Sequence, residues 1–503
     1  MRFRPRPAIL LALLILVGSM YFFLGVFIPG LHPGLVARNL GGGFHFGNDF
    51  YPIWVAGGEL RHHRDPYAPS LTPRIETGLY GRPLDRSVRA DAQVNYRAFS
   101  YPVFTIFVFA PLLPMSFPAV QVMLAILLPC AAGLTVLLWL RVLGTDLSAQ
   151  GIAVAMCLAL ASYPVLEGIY AGQPGLISAA FIAGALAALG AERYLLAGVL
   201  LPWAAMKPQL VLLLVIWLVF WCVCNWNRRR TFVFGLGVSG SVMLGLSTWA
   251  APHWIDGWMH ALHEYRQISP APLAQFVLGS FAGWIVSAIL VGLSLLVCWR
   301  ARCESAASQA FALATTLLLA TTVLTLPSTI AIYDQFLLLP GALWLYTNRS
   351  LILRGSLVFR ILTLITMAAV AWQWFWSIAL VLIHWMGPSL PRGPAILLLP
   401  FRTAASTPFA ITAMDAILKS AAKNKVAMEL NSYPDRLDLN DVHLRQAKEQ
   451  GVKIVINTDS HHTSHLSKIR YGILQARRAW LTKEDVLNTL PAEKFAQTMK
   501  HGW

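Results

Sequence analysis

Charge is what this 503-residue chain has least of. Asp, Glu, Lys and Arg make up 12% of it, about half the share of an ordinary soluble protein. That shortage excludes a water-facing surface over most of the length. Cysteine is scarce too: all six lie before residue 304, two of them (Cys222, Cys224) inside one apolar run, with no ligand spacing among the rest. A disulfide framework and a zinc motif are thereby excluded. There is no Gly-rich phosphate loop, no evident internal repeat and no His-x-His ahead of the C-terminal hundred residues. Asp49 has no acidic partner two positions away, so a nucleotide-sugar metal site of the Asp-x-Asp kind is not indicated. His62 and His63 are adjacent, poor spacing for one metal on a helix, and read as solvated loop residues. His260, His263 and Glu264 in "GWMHALHEY" share a helix face. They resemble a metal triplet only weakly and fit an interfacial amphipathic helix.

What is present is apolar: 57% hydrophobic residues with 18 Trp and a mean hydropathy of +0.59. The charge is unevenly spread, with 24 of the 62 charged residues after Thr403. Two regimes follow: an apolar body over 1–402 and a polar segment over 411–503, joined across 403–410. Runs able to cross about 30 Å of hydrocarbon occur near 8–29, 118–140, 151–170, 173–190, 208–224, 232–250, 276–298, 308–326 and 356–385. Shorter or Pro-broken runs lie at 101–116, 194–206 and 329–347. The expected fold is an all-α polytopic membrane protein of roughly ten to twelve transmembrane helices, followed by a small truncated α/β segment. The first run follows the basic start "MRFRPRP". It is too long for the usual core of a cleaved signal peptide and lacks a clear small-x-small site, so it reads as a retained helix entering from the cytoplasm.

Basic loops orient the body. "WNRRR" (Trp226 to Arg230), "WRAR" (Trp299 to Arg302) and "NRSLILR" (Asn348 to Arg354) are separated by pairs of spans and fit one cytoplasmic side. Lys207, Gln173, Asp334 and the long loop 30–100 then fall outside. In this scheme "SYPVFTIFVFAPLLPM" cannot be a full crossing and reads as broken or re-entrant. The outer face thus collects Asp49, Lys207 and Asp334. Ionisable groups at membrane depth are costly and usually face a functional cavity; interfacial anchoring is the competing reading for each of them singly.

The segments "NDFYPIWVAGGELRHHRDPY", "FSYPVFTIFVFAPLLPM", "GQPGLISAAFIAGALAAL", "YLLAGVLLPWAAMKPQLVLLLVIWLV" and "LPSTIAIYDQFLLLPGALWL" together resemble glycosyltransferase family 87, membrane mannosyltransferase-like proteins of the GT-C fold, over residues 8–390. One departure is Val103, where the family usually has a second proline after Tyr101 and Pro102. The resemblance implies transfer of a mannose-like sugar from a polyprenyl-phosphate donor to a hydroxyl of a lipid or glycan acceptor. The reaction would lie on the extracytoplasmic side of a bacterial inner membrane, in a multi-pass protein needing no cofactor and binding no nucleic acid. Asp49 matches the family's carboxylate after the first helix, a candidate general base. A cation should face the phosphate leaving group: Lys207 is best placed, with Arg61 and Arg64 in reserve. Gln173 and Asp334 complete the substrate-binding set, with Tyr101 and Trp54 either stacking on sugar or serving as interface aromatics. A transporter or flippase-like protein is the alternative. Against it, the polar residues gather at one face and no repeat is seen.

The C-terminal segment alternates helix and strand, with strands expected over Val426 to Leu430 and Lys453 to Asn457 and a helix over Asn440 to Gln450. "MELNSYPDRLDLND", "GVKIVINTDSHH" and "IRYGILQARRAWLTKEDVLNTL" resemble the C-terminal end of the PHP phosphoesterase domain of bacterial family X DNA polymerases. The resemblance makes Asp459 and His461 metal ligands, for manganese or zinc. The remaining ligand motifs are missing, and catalytic metals as a rule need three protein ligands. The expectation is an inactive, incomplete fragment of a fused reading frame. A phosphoesterase or DNA-processing function carried by this segment is a further alternative.

Overall fold

In the computed structural model the chain forms two compact units, Met1–Pro394 and Ala395–Trp503. The structure describes residues 6–28, 46–85, 98–268, 272–325 and 332–348, isolated positions between 360 and 381, and most of 418–501. The junction expected at 403–410, much of the run 356–385 and parts of the loop 30–100 lie outside the described residues.

The first unit is an all-α polytopic membrane protein. Among the described residues four helices are long and apolar enough to span: Pro7–Gly25, Phe117–Val142, Trp226–Ala250 and Ser280–Ala301. Their outward sides expose Val17, Ile126, Val242, Phe281 and Leu295. In water such a belt would drive association; against acyl chains it is the stable surface. The run 151–170, expected as one span, is two helices, Ala149–Leu160 and Tyr163–Ala171, bent by 60°. Pro164 is the cause. Proline sits in the first turn of the second helix, and Ser162 ahead of it is extended at ψ 142°, breaking the ladder. Gly175–Gly190, Tyr194–Met206, Pro208–Val223 and Gln309–Thr325 are apolar but at most 17 residues long, about 25 Å at helical rise. Among the described residues the expected apolar runs form four full-length helices, one bent pair and several short ones. Segment 101–116 is broken as anticipated, into a five-residue helix Phe104–Val108 and a 3-10 turn Ala110–Leu112.

Several hydroxyls inside this apolar bundle are satisfied locally, while those of Thr105, Ser178, Ser287 and Thr316 are buried without a partner among the described residues. Thr315 and Thr322 donate to the carbonyls of Phe311 and Leu318 four residues back. Ser294 and Thr321 join two helices, Oγ to Oγ1, at 2.6 Å. Such bonds replace the water that hydrocarbon cannot supply.

Polar residues form two layers at opposite helix ends. Pro208–Val223 starts at Lys207 and ends at Cys224, about 24 Å away. At the Cys224 end, Arg229 is 3% exposed. Its guanidinium donates to the carbonyls of Trp221 at 2.7 Å, Arg302 at 3.1 Å and Glu304 at 2.8 Å. It also lies 3.6 Å from the centre of the Trp221 ring. One side chain thus caps the C-terminal carbonyls of two helices and brings "WNRRR" and "WRAR" to one end of the bundle, as their shared basic character requires. Gln309 Nε2 reaches the Leu143 carbonyl at 3.3 Å, placing the end of Phe117–Val142 in the same layer.

The second unit is built on two parallel strands, Met428–Asn431 and Ile454–Asn457, with Met428 opposite Ile454. The helix Asp441–Glu449 connects them, capped by the Asn440 side chain accepting from the His443 amide. These elements fall within one or two residues of the pattern read from the sequence. Leu418, Leu430, Leu444, Ala447 and Ile454 form its core. Val486 adds a single parallel bridge to Ile454.

Removing the Arg229 clamp should loosen the first unit. Arg229→Ala leaves four carbonyls, those of Trp221, Arg302, Cys303 and Glu304, without their donor, each well-formed charge-assisted bond being worth about 1.5–3 kcal/mol. The midpoint of thermal unfolding of the detergent-solubilised chain should fall by on the order of 5 °C, with Arg229→Lys between the two. An unchanged midpoint for Arg229→Ala would show that the clamp contributes nothing.

Candidate active site

The site is assembled at the layer opposite Arg229 by the turn that ends Tyr163–Ala171. Gly172 closes that helix in the left-handed conformation, φ 73°. A side chain there would be strained, and a Cβ would sit 2.9 Å from Phe50 Cβ and 3.0 Å from Gly47 Cα. The close approach lets the chain after the first helix pair with the turn: the amides of Gly47 and Asp49 donate to the carbonyls of Tyr170 at 2.7 Å and Ala171 at 2.8 Å. Asp49 is thereby fixed just ahead of the helix Tyr51–Arg61.

Gln173, the next residue of the turn, is 1% exposed. Its Nε2 donates to Asp49 Oδ2, and its Oε1 accepts from the Tyr101 hydroxyl at 3.4 Å. Tyr101 is itself held by its carbonyl, which accepts from the Tyr67 hydroxyl at 2.6 Å. Two residues beyond Gln173, a Cβ on Gly175 would lie 2.9 Å from Asp334 Oδ1 and 3.5 Å from Lys207 Nζ. Only glycine leaves room there for the ion pair between Lys207 Nζ and Asp334 Oδ1, at 2.7 Å. The ammonium also sits 4.3 Å from the centre of the Tyr333 ring, within cation–π range.

Five residues singled out in the sequence therefore meet around one turn: Asp49, Tyr101, Gln173, Lys207 and Asp334. Three residues of chain, at most about 8 Å between end Cα atoms, link the Asp49 contact to the Lys207–Asp334 pair. Asp49, Lys207 and Asp334 are all buried. Two acceptors, Asn48 Oδ1 and Asp334 Oδ2, are buried without a hydrogen-bond partner among the described residues. A buried orphan of this kind costs about 1–3 kcal/mol, and a polyhydroxyl ligand carries the donors that relieve it.

Arg61 and Arg64, held in reserve as phosphate contacts, make their contacts elsewhere. The helix Tyr51–Arg61 carries Arg61 about 15 Å along its axis from its start. There Arg61 Nη1 donates to the Leu113 carbonyl at 3.1 Å, and Arg64 pairs with Glu59 at 2.8 Å. Trp54, in the first turn of that helix, is turned to the same neighbouring segment, its Nε1 donating to the Met115 carbonyl at 3.0 Å. Glu59, Arg74 and Tyr333 were missed in the sequence. Tyr333 was adjacent to a chosen residue, while Glu59 and Arg74 looked like ordinary loop charges.

The helix Trp254–Ile268 is amphipathic, and His260 Nε2 lies 3.4 Å from Glu264 Oε1 on its exposed side. In the second unit Asp459 follows the strand Ile454–Asn457 and is exposed, with φ 47°. His461 lies outside the described residues. Among the described residues no group of three His, Cys, Asp or Glu is placed to hold a metal.

Comparison with known proteins bears on both units. The chain is 44% identical over 75 residues to the DNA polymerase/3'-5' exonuclease PolX of Bacillus subtilis (strain 168). That stretch is 15% of this chain, and it spans only 13% of the relative's length, which fits a part of one domain joined to an unrelated body. No solved structure matches the chain at a significant level. The family model described as Glycosyltransferase family 87 matches residues 99–329. The matched span contains Tyr101, Gln173 and Lys207 and lies wholly within the helical unit, so the first unit resembles Glycosyltransferase family 87 and is supported as a membrane glycosyltransferase.

Proposed function

We propose that the first unit moves a mannose-like hexose from a polyprenyl-phosphate donor to a hydroxyl of a lipid or glycan acceptor, on the extracytoplasmic face of a bacterial inner membrane. The observation that supports this is the convergence of a buried carboxylate, Asp49, and a buried cation, Lys207, on one turn of a membrane bundle. Transfer to a hydroxyl needs a base for its proton and a positive group for the departing phosphate. Asp49 takes the acceptor proton as the acceptor oxygen bonds to the anomeric carbon. The bond from that carbon to the phosphate oxygen breaks, and its electron pair leaves with the polyprenyl phosphate. The Gln173 amide orients the Asp49 carboxylate. Lys207 contacts the phosphate by exchanging or sharing Asp334, whose second oxygen accepts from a sugar hydroxyl. Each of these tasks is assigned to a side chain, so the reading needs no cofactor.

The second unit takes no part in this reaction. Asp459 and His461 are two ligands of a larger set, and too few to hold an oriented, metal-activated water. Manganese or zinc would be held there only if another chain supplied the rest.

Asp49→Asn should abolish transfer of radiolabelled sugar from polyprenyl phosphate in membranes while leaving expression intact; near-normal turnover would remove Asp49 from the role. Lys207→Ala should weaken donor binding by about 1.5–3 kcal/mol, roughly ten- to a hundredfold, and more than Lys207→Arg does. Equal donor affinity in all three proteins would sink the phosphate contact. Truncation after Thr403 should leave transfer unchanged, and the full chain should show no phosphoesterase turnover with manganese or zinc. Loss of transfer on truncation, or metal-dependent phosphoester hydrolysis that Asp459→Ala abolishes, would make the second unit functional.

A further inference from the structure

Arg61 and Arg64 do not reach the Asp49 turn, yet they are not scattered surface charges. With Trp54, Glu59, Arg74 and Ser116 they line an open cavity of about 420 Å³. Three guanidinium groups face one carboxylate there. Glu59 is 7% exposed and is shared between Arg64 at 2.8 Å and Arg74 at 2.7 Å. Arg61 has a single described hydrogen bond, to the Leu113 carbonyl, so most of its donors are uncommitted. The cavity therefore keeps a surplus of positive charge beside an aromatic wall, where Tyr51 and Trp54 lie with ring centres 5.7 Å apart.

Its position fixes what it meets. Leu113 to Ser116 form one wall and lead directly into the spanning helix Phe117–Val142. The cavity is thus level with one end of a membrane span, at the depth of lipid headgroups. The positive end of that helix's dipole, at Ser116, adds to the guanidinium charge. Basic pockets at the ends of membrane helices hold anionic headgroups, and aromatic rings favour the same depth.

We propose that this cavity binds the phosphate ester of an anionic lipid headgroup, with Arg61 as the principal contact and Glu59 as the internal counter-ion that restrains Arg64 and Arg74. The same phosphate chemistry could arrive on a soluble ester, and the test separates the two sources. Nothing in the proposal depends on the transferase reading.

The experiment measures equilibrium binding of a short-chain fluorescent phosphatidylglycerol, against the phosphatidylcholine analogue, to the detergent-solubilised full chain, with thermal unfolding as the check on folding. Phosphatidylglycerol should bind at least tenfold more tightly than phosphatidylcholine and weaken as salt rises. Arg61→Ala should lose most of that preference, and Arg61→Lys should retain part of it. Glu59→Gln should do the opposite, tightening phosphatidylglycerol binding several-fold, because both arginines are released from their carboxylate. A residue serving only to hold the fold would not give that gain. Competition by glycerol 3-phosphate at concentrations comparable to the lipid supports the site with a soluble ester as its source; competition by lipid alone supports the headgroup. Equal affinity for the two lipids, or Arg61→Ala and Glu59→Gln both binding as the unaltered chain does, would overturn the proposal.

Discussion

The ion pair between Lys207 and Asp334 constrains everything around it. Both side chains are almost wholly removed from solvent. Taking an isolated charge out of water costs several kcal/mol even after relaxation, so neither residue is tolerable without the other. That ties the start of Pro208–Val223 to the segment Ile332–Leu338, although 127 residues separate them in sequence. It also dictates a glycine at position 175, since a Cβ there would press on the Asp334 carboxylate. Two residues before Gly175, Gln173 holds Asp49. A buried electrostatic requirement thus propagates along one short turn to the residue proposed as the base.

The other polar layer makes this arrangement rigid. Arg229 fastens the far end of Pro208–Val223 to the turn after Ser280–Ala301 through backbone carbonyls, independent of side-chain identity there. A helix held at both ends cannot slide or rotate freely, and Lys207 keeps its aim. Between the layers the bundle offers almost no alternative polar partners. Many of the serine and threonine hydroxyls are turned back on their own helices or paired across them, and among the described residues no second charged group is shown there to take the place of either partner, so a displaced charge would be costly.

Much of this was legible in the sequence, for a physical reason. In a chain so poor in charge, an ionisable residue at the edge of an apolar run stands out, and Asp49, Lys207 and Asp334 were found that way. Their gathering on one face was expected from the basic loops, but their meeting around one turn was not legible, because it depends on the left-handed Gly172 and on the room left at Gly175. The bend at Ala161–Ser162 was also missed: hydropathy summed over a window does not register a single proline, though "SYP" carried the signal. Arg61 and Arg64, kept in reserve behind Lys207 as phosphate contacts, make their described contacts with Leu113 and Glu59. The intervening helix takes both arginines a full helix length from Asp49. The strands at 428–431 and 454–457 were readable because β-branched runs bounded by turn residues have few other solutions. Two paired strands are marginal by themselves, which suits a fragment better than a working barrel.

Two positive contributions meet at Lys207. A helix N-terminus is the positive end of the backbone dipole, and a lysine is an unfavourable residue to place there. Pro208–Val223 begins with Lys207 all the same, so two positive contributions coincide and need an anion between them. Asp334 is that anion in this structure, and its placement opposite an ammonium and a helix start is where a phosphate would bind best. The carboxylate therefore occupies the position that the proposed donor phosphate would claim. Asp334 keeps the buried cation from being left unpaired. Under the proposed function a donor phosphate would share the ammonium with Asp334, with the Tyr333 ring beneath it, and the free carboxylate oxygen would accept from a sugar hydroxyl. Under the proposed function the same pair that holds the fold together would also recognise the leaving group, so stability and donor recognition would rest on a single contact.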